Sequence, residues 1–552
     1  MATRVTQSRT SGGGVVAAQN EPYARRWWAL IVLCLAMMII SLDNTILNVA
    51  LPTLVRDLHA STSQLQWMVD AYTLVFAGLL LTAGSIGDRF GRKKALIGGL
   101  FVFGAFSALS SFSRSADQLI GARALMGIGG ALIFPTTLSI LTNIFPPKER
   151  VRAIGIWSGV AGIAIPLGPV VGGWMLEHFH WGSVFLINVP IAAVAILASL
   201  ILIPVSKDAK AKPLDPLGAI LSIAALGTLL YGIIEAPTRG WGNAETLGLI
   251  AAGLVLLGVF VLWERRTTYP MLNMSLFKNA RFSAASISVT LVFFGLMGSM
   301  FFLTQYMQFV LGYSTLQAGA AMIPVAFGVS VGAPVSSKLT ERFGAKLLVT
   351  IGMLVTTVSM LILTQATTHS GYIIIGATLL VGGLGMGLAM TPATDSIMGA
   401  VPKDNAGAGS AVNDTTRQFG GALGVAILGS LLSTTYTSKM TPVLDKLPAA
   451  LHSVAQSSVG GALAVAHQLG GPTGNTLAVT AKSAFVHGMT LTAVAASGFT
   501  FLGAIIALLF LPARGLEAEE MMAEGESEEL DEVSEREAAR AREFETAPSV
   551  GD

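Results

Sequence analysis

The sequence predicts an all-α membrane protein with fourteen transmembrane helices. Of its 552 residues, 53% are hydrophobic and 12% are charged, whereas soluble domains carry about a quarter charged residues. The 61 glycines are typical of membrane helices that pack closely. Fourteen apolar runs are long enough to cross the ~30 Å hydrocarbon layer, which requires roughly 20 residues.

The predicted spans follow one another along most of the chain, and their even number places both termini on one side of the membrane. The polar residues 1–27 are predicted to be a disordered cytoplasmic segment, and the acidic residues 513–552 a cytoplasmic tail. The spans are 28–50, 65–86, 95–112, 118–141, 153–176, 183–204, 215–235, 245–263, 283–311, 316–338, 347–366, 371–398, 407–433 and 484–512.

The distribution of basic residues predicts the orientation of the chain. The leading segment and the even-numbered loops contain 22 of the 34 Lys and Arg residues, and the odd-numbered loops contain six. Because cytoplasmic loops of membrane proteins are enriched in Lys and Arg, both termini are predicted to be cytoplasmic.

An internal repeat divides the chain. The sequence GDRFGRKKAL at 87–96 is echoed by TERFGAKLLV at 340–349, which predicts two related halves. The predicted domains are an N-terminal six-helix half, an inserted helix pair, and a C-terminal six-helix half that contains a long external loop, for which an external helix or hairpin is one possible form. Their ranges are 28–204, 205–266, 267–512 and, for the loop, 436–482.

Three ionisable residues inside predicted spans are candidates for function, because charge in the hydrocarbon layer costs at least ~2.5–3.5 kcal/mol. Asp43 lies roughly 22 Å along the first span from the cytoplasmic edge, and Asp70 and Arg123 lie ~8 Å from the outer edge of theirs. These depths nearly coincide, so we expect the two carboxylates and the guanidinium to form a proton- or cation-binding site. The alternative interpretation is a structural ion pair.

A second pair of charges lies in the thirteenth span. Asp414 and Arg417 are three residues apart and can pair along one face of the helix. They form a possible second-half site, with a purely structural pair as the competing interpretation.

Four segments resemble the major facilitator superfamily, in particular its drug:proton antiporters with fourteen spans. They are LDNTILNVALP (42–52), GSIGDRFGRKKAL (84–96), RALMGIGGA (123–131) and GIAIPLGPVVGG (162–173). FLINVPIA (185–192) and NDTTRQFGGALG (413–424) fit the same branch, although Trp181-Gly182-Ser183 replaces the usual Trp-Arg-Trp. The resemblance implies the major facilitator fold, with two pseudo-symmetric six-helix halves and two inserted helices.

The resemblance also implies roles for individual residues. The segment between the second and third spans implies a conformational latch formed by Gly84, Asp88, Arg89, Gly91 and Arg92. Arg123 matches an arginine implicated in proton transfer. The fifth span matches a motif that accompanies exchange of two solutes, and its residues are Gly162, Pro166, Gly168, Pro169, Gly172 and Gly173.

Proton-coupled export of hydrophobic or cationic drugs is therefore the function expected first. Export of an endogenous lipid or metabolite is the alternative, and a non-transporting membrane sensor is the third hypothesis. We expect a monomer in the bacterial inner membrane that binds small molecules and protons. We expect neither enzymatic activity, a metal, a cofactor nor nucleic-acid binding, and the chain contains no GxxxxGK[ST] segment for ATP.

Overall fold

The computed structural model describes residues 25–206, 215–270, 272, 274–400, 406–444 and 447–512. Within these ranges the regular structure is helical. Predictions for residues 1–24 and 513–552 lie outside the described residues. The helices are α1 (Arg26–Leu58), α2 (Thr62–Phe90), α3 (Arg92–Ser111), α4 (Ala116–Ile144), α5 (Pro147–His178), α6 (Ser183–Leu186), α7 (Asn188–Leu202), α8 (Pro216–Arg239), α9 (Ala244–Arg266), a 3₁₀ helix (Met274–Lys278), α10 (Ala280–Gln305), a π-helix (Tyr306–Val310), α11 (Thr315–Ala320), α12 (Ile323–Leu363), α13 (Tyr372–Gly399), α14 (Ala406–Leu444), α15 (Ala449–Ser457), α16 (Val459–Leu469) and α17 (Gly471–Phe510).

Twelve helical segments in the described part of the chain are long and apolar enough to span a membrane. Each overlaps one of the fourteen predicted spans. The other two predicted spans, 65–86 and 153–176, lie within α2 and α5, which are 29 and 32 residues long. The multi-span membrane architecture is confirmed, and the total of fourteen spans stays a prediction.

The two halves repeat one packing scheme. In the first half α1 packs against α5 and α7, α2 against α4, and α3 against α4 and α7. In the second half α10 packs against α14 and α17, and α12, which contains two spans, packs against α13 and α17. The contacts therefore follow a similar chain order in the two parts, and the domain bounds stay a prediction.

A glycine makes the same sharp turn in both copies of the repeat. Gly91, between α2 and α3, has φ +110°, and Gly344, inside α12, has φ +79°. Residues with a Cβ rarely adopt such angles. These turns let each pair of spans reverse direction through a very short connection.

Replacement of Gly91 by alanine is expected to destabilise the protein by about 1–3 kcal/mol, because alanine would be strained at φ +110°. The thermal unfolding midpoint of the purified protein measures this effect. Gly98→Ala in α3 is the control, since a Cβ there meets no atom within 4 Å. Equal midpoints for the two variants would contradict the prediction.

The inserted pair lies beside the junction between the halves. Helix α8 packs against α2 of the first half, α14 of the second half and its own partner α9. The Ser222 hydroxyl lies 3.5 Å from the carbonyl oxygen of Gly78 on α2, and the Ser430 hydroxyl on α14 donates to the carbonyl of Ile233 on α8 at 2.8 Å. Helix α8 thus contacts both halves.

The segment predicted as a long external loop is largely helical. Residues 436–444 continue α14, α15 and α16 follow, and α17 begins at Gly471, well before the predicted start of the last span at 484. The hydroxyl of Thr62 on α2 donates to the carbonyl of Ser457 at 2.8 Å, and Gly460 packs against Val55 and Phe309. We call α15, α16 and residues 471–483 the helical cap.

Hydrogen bonds between the two halves lie at the end of the bundle that carries this cap. The Gln66 side-chain amide on α2 donates to the carbonyls of Val425 and Ala426 at 3.1 and 3.0 Å. Gln308, in the π-helix, donates to the carbonyl of Val49 at 3.0 Å, and the Thr315 hydroxyl donates to the carbonyl of Gly173 at 3.1 Å. These bonds hold the halves together at this end.

Candidate functional site

A buried ion pair joins α1 and α4. The guanidinium Nη1 of Arg123 donates to Oδ2 of Asp43, and both residues are 1% exposed. Two charges removed from water lose several kcal/mol of hydration each, and they are tolerated when their remaining polar atoms are also bonded. The other contacts of Arg123 and Asp43 meet this requirement in part.

Helix α2 supplies the remaining contacts of Arg123. Its Nε donates to the carbonyl of Met68 at 3.1 Å, and its guanidinium lies 4.4 Å from the centre of the Tyr72 ring. Gly127 and Gly130 let α4 approach this face of α2, because a Cβ at Gly127 would lie 2.7 Å from the carbonyl oxygen of Tyr72. The arginine is therefore enclosed by carboxylate, carbonyl and aromatic groups.

The second oxygen of Asp43 is bonded to a residue that sequence reasoning missed. Nδ2 of Asn188, the first residue of α7, lies 3.1 Å from Oδ1 of Asp43 and 3.1 Å from the hydroxyl of Ser107. Ser107 in turn donates to the carbonyl of Phe185 at 2.8 Å. The available signal was an amide at the centre of the apolar segment FLINVPIA (185–192).

Asp70 does not join this ion pair, although it was expected there. It is fully buried, and its two carboxyl oxygens have no hydrogen-bond partner among the described residues. Met68 and Tyr72, which face Arg123, are four residues apart on one face of α2, and Asp70 lies about half a turn away from both. It shares the face of Gln66, four residues earlier, whose side chain contacts α14. Equal depth in the membrane therefore did not predict contact, because Asp70 lies on a different face of α2 from the residues that contact Arg123.

The second-half pair is looser. Arg417 Nη1 and Asp414 Oδ1 are 3.7 Å apart, and Arg417 Nη2 donates to the hydroxyl of Thr394 on α13 at 3.2 Å. The Arg417 side chain is 32% exposed, and its guanidinium lies 5.9 Å from the centre of the Phe293 ring. A partly exposed cation beside an aromatic ring can contact a solute as well as its own helix.

The segment 162–173 of α5 packs against α1 and against the second half. A Cβ at Gly168 would overlap Oγ1 of Thr45, and one at Gly172 would lie 2.8 Å from Ile46. A Cβ at Gly173 would lie 2.6 Å from the carbonyl oxygen of Thr315 on α11, and the carbonyl of Pro169 contacts Gly319. The side-chain environments of Gly162 and Pro166 lie outside the described residues.

The predicted latch is described in part. Gly84 packs on Pro135, and a Cβ at Gly87 would lie 3.0 Å from the Thr136 hydroxyl oxygen, so α2 and α4 are close there. The backbone N–H of Arg92 donates to the carbonyl of Ser206 at 3.0 Å, and Arg89 lies over the Phe90 ring at 5.8 Å. The Asp88 side chain lies outside the described residues, so the latch stays a prediction.

A carboxyl group can hold either a proton or a negative charge, and two such groups are buried here. Asp43 and Asp70 are buried carboxyl groups in different surroundings, one held by two donors and one without a partner in the part of the chain that the structure describes. The same described part contains no group of three or more His, Cys, Asp or Glu side chains arranged to hold a metal ion.

Comparison with known proteins places these features in a family. The model of the Major Facilitator Superfamily matches residues 33–425. The multidrug efflux pump LfrA of Mycolicibacterium smegmatis is 37% identical over 474 residues, covering 86% of this chain and 94% of the relative. The tetracenomycin C resistance and export protein of Streptomyces glaucescens is 34% identical, and the match covers 88% of this chain and 91% of the relative. The methyl viologen resistance protein SmvA of Salmonella typhimurium is 34% identical, and the match covers 84% of this chain and 93% of the relative.

Solved structures show the same fold. A bacterial homologue of the human lysosomal transporter Spinster, in an inward-facing and unoccupied conformation, matches with a TM-score of 0.61 at 18% identity, covering 88% of this chain and 98% of that one. A peptide transporter in complex with sulfate matches with a TM-score of 0.59 at 14% identity, covering 87% and 93%.

Proposed function

The chain belongs to the Major Facilitator Superfamily, and from this premise we propose that it exports hydrophobic or cationic drugs from the cytoplasm or inner leaflet in exchange for protons. Relatives named for multidrug efflux and antibiotic export cover most of the chain. Of the structural observations, the buried Asp43–Arg123 ion pair carries the proton-coupling proposal. A titratable carboxyl at the centre of a membrane protein is a functional group by default.

Asp70 supplies the second part of the proposed coupling. It lies on the face of α2 that meets α14, at the junction between the halves, and it is buried without a partner among the described residues. An ionised carboxylate is unfavourable in that position, so this conformation favours a bound proton. When the halves separate at the capped end, Asp70 meets water and exchanges its proton.

The two halves then alternate access to a fixed site. The chain's orientation, predicted from its basic residues, makes the capped end external and both termini cytoplasmic. Protons bound from outside favour the return of the protein to its inward-open form, in which release of the proton from Asp43 lets cargo bind. Rocking of the halves about a midplane site is the general mechanism of such folds.

Cargo recognition is proposed at the second-half site. The Arg417 side chain is about one-third exposed beside Phe293, and Asp414 is 3.7 Å from the Arg417 guanidinium. The site therefore offers a carboxylate for a cationic group and a ring for an apolar one. One relative is named for resistance to methyl viologen. We propose that the protein acts as a monomer in the bacterial inner membrane, uses the proton gradient without a cofactor, and has no enzymatic activity.

The test is efflux of ethidium from cells that express the wild type or Asp43→Asn, with and without a protonophore. We expect protonophore-sensitive efflux in the wild type and its loss in the variant, because asparagine cannot exchange a proton. Asp57→Asn is the matched control: it makes the same chemical change at the exposed end of α1 and should leave efflux unchanged.

Full efflux by Asp43→Asn with an unchanged pH dependence would refute the coupling scheme. Absence of dye efflux from an expressed wild type would refute cationic-drug export. The cargo alternative, an endogenous lipid or metabolite, would then be tested with vesicles loaded with lipid and metabolite extracts. Asp414→Asn should weaken efflux of the cationic dye more than it changes the pH dependence, because it removes the carboxylate proposed to bind the cationic group.

A further inference from the structure

Asn188 occupies a fixed orientation beside Asp43. The Ser107 hydroxyl has one hydrogen, which it donates to the carbonyl of Phe185 at 2.8 Å. Its oxygen must therefore accept from Asn188, which places the amide NH₂ rather than the amide oxygen towards Ser107. The same NH₂ lies 3.1 Å from Oδ1 of Asp43 and donates its second hydrogen there.

The other end of the amide is unused. Asn188 is 1% exposed, and its Oδ1 has no hydrogen-bond partner among the residues that the structure describes. A buried polar atom without a partner is unfavourable, because it has lost its hydrogen bonds to water. An acceptor beside a carboxylate has no role while the carboxylate is ionised, but it becomes useful when the carboxyl gains a proton and becomes a donor.

Arg123 cannot accept a hydrogen bond from protonated Asp43. A guanidinium offers five donors and no acceptor, so the hydrogen of a protonated Asp43 finds no partner on that side. The other titratable group that faces Asp43, among the described residues, is Tyr72 on α2, and Asp70 lies on the opposite face of that helix. From α7 the group that faces Asp43 is the neutral amide of Asn188.

We propose that Asn188 is a positioning residue whose amide changes orientation with the protonation state of Asp43. It donates to the ionised carboxylate and, after exchange of its NH₂ and oxygen, accepts from the protonated carboxyl. The Ser107 hydroxyl follows by turning its hydrogen from Phe185 to Asn188. Because Ser107 is on α3 and Asn188 begins α7, the proton state of α1 is transmitted to two further helices. The inference rests on proton binding at Asp43, as proposed above.

Infrared spectroscopy of the purified full chain in detergent tests this without any cargo. The C=O band of protonated Asp43 is identified by its absence in Asp43→Asn and is followed as a function of pH. In Asn188→Leu and Asn188→Ala we expect the titration midpoint of this band to rise by about one pH unit, because the ionised form loses a charge-assisted hydrogen bond. The band should also move to higher frequency, since the protonated carboxyl loses its acceptor.

Ser110→Ala is the matched control. It removes a buried hydroxyl from the same helix α3, one that donates to the carbonyl of Phe106 at 2.8 Å and not to Asn188 or Asp43, so the midpoint should stay at the wild-type value. An unchanged midpoint and frequency in both Asn188 variants would overturn the inference, as would an equal shift in Ser110→Ala. A wild type in which Asp43 never titrates would instead refute the proposed coupling. A wild type in which Asp43 titrates but no ethidium is exported would refute drug export alone.

Discussion

Replacement of Arg123 by methionine is expected to destabilise the protein strongly and to abolish coupled efflux. Methionine fills much of the space but leaves the carboxylate of Asp43, which is 1% exposed, without its cation. Loss of one member of a buried ion pair costs about 3–5 kcal/mol. The measurements are the thermal unfolding midpoint in detergent and protonophore-sensitive ethidium efflux.

A double variant separates stability from function. Asp43→Asn combined with Arg123→Met removes both charges, so most of the lost stability should return. Efflux should remain absent, because the proton-binding carboxyl is gone. An Arg123→Met protein that unfolds at the wild-type temperature would show that the pair does not hold the two helices together. Recovery of coupled efflux in the double variant would refute the proposed role of Asp43.

The second large effect is expected from Gly168→Ala. A Cβ at this position would overlap Oγ1 of Thr45 and lie 2.9 Å from Cβ of Thr45, so α1 and α5 could not keep their present separation. Overpacking of this kind costs about 1–3 kcal/mol. We expect efflux to fall close to the level of cells without the transporter, measured at matched membrane expression.

Gly98→Ala is the control for this change as well, since it adds the same methyl group in a transmembrane helix where nothing lies within 4 Å. Thr45→Ala together with Gly168→Ala should restore part of the efflux, because it removes the overlapping hydroxyl. Wild-type efflux by Gly168→Ala alone would mean that α1 and α5 separate freely, contrary to the close packing described above.

Sequence reasoning succeeded for features that depend only on the order of residues along the chain. Apolar length located twelve of the predicted spans, and the repeated Arg-Phe-Gly located Gly91 and Gly344, which both adopt positive φ. The cost of burying charge identified Asp43 and Arg123, which the structure brings into contact. These inferences need a count along the chain and no knowledge of how the helices are turned.

The errors concern contacts that depend on which face of a helix a side chain occupies. Depth alone grouped Asp70 with Arg123, whereas the 100° step per residue turns Asp70 towards the face of Gln66. The link from Asn188 to Asp43 joins residues 145 positions apart, and no local pattern encodes it. The helical form of the cap stayed one of two alternatives at the sequence level, because α15 and α16 are short and rich in Ala, Gly and Ser, a composition equally typical of an irregular loop.

The helical cap has a practical consequence for imaging. Transporters that lie almost entirely within a detergent micelle offer few features by which single particles can be aligned. Here residues 471–483 add roughly 20 Å of continuous helix to the last span. Helix α16 packs beside α17, α15 packs against α16, and Lys482 donates to the carbonyl of Val310 at 3.2 Å. Because the cap lies at one end of the helix bundle, it gives each particle image both an orientation and a polarity without an added antibody fragment.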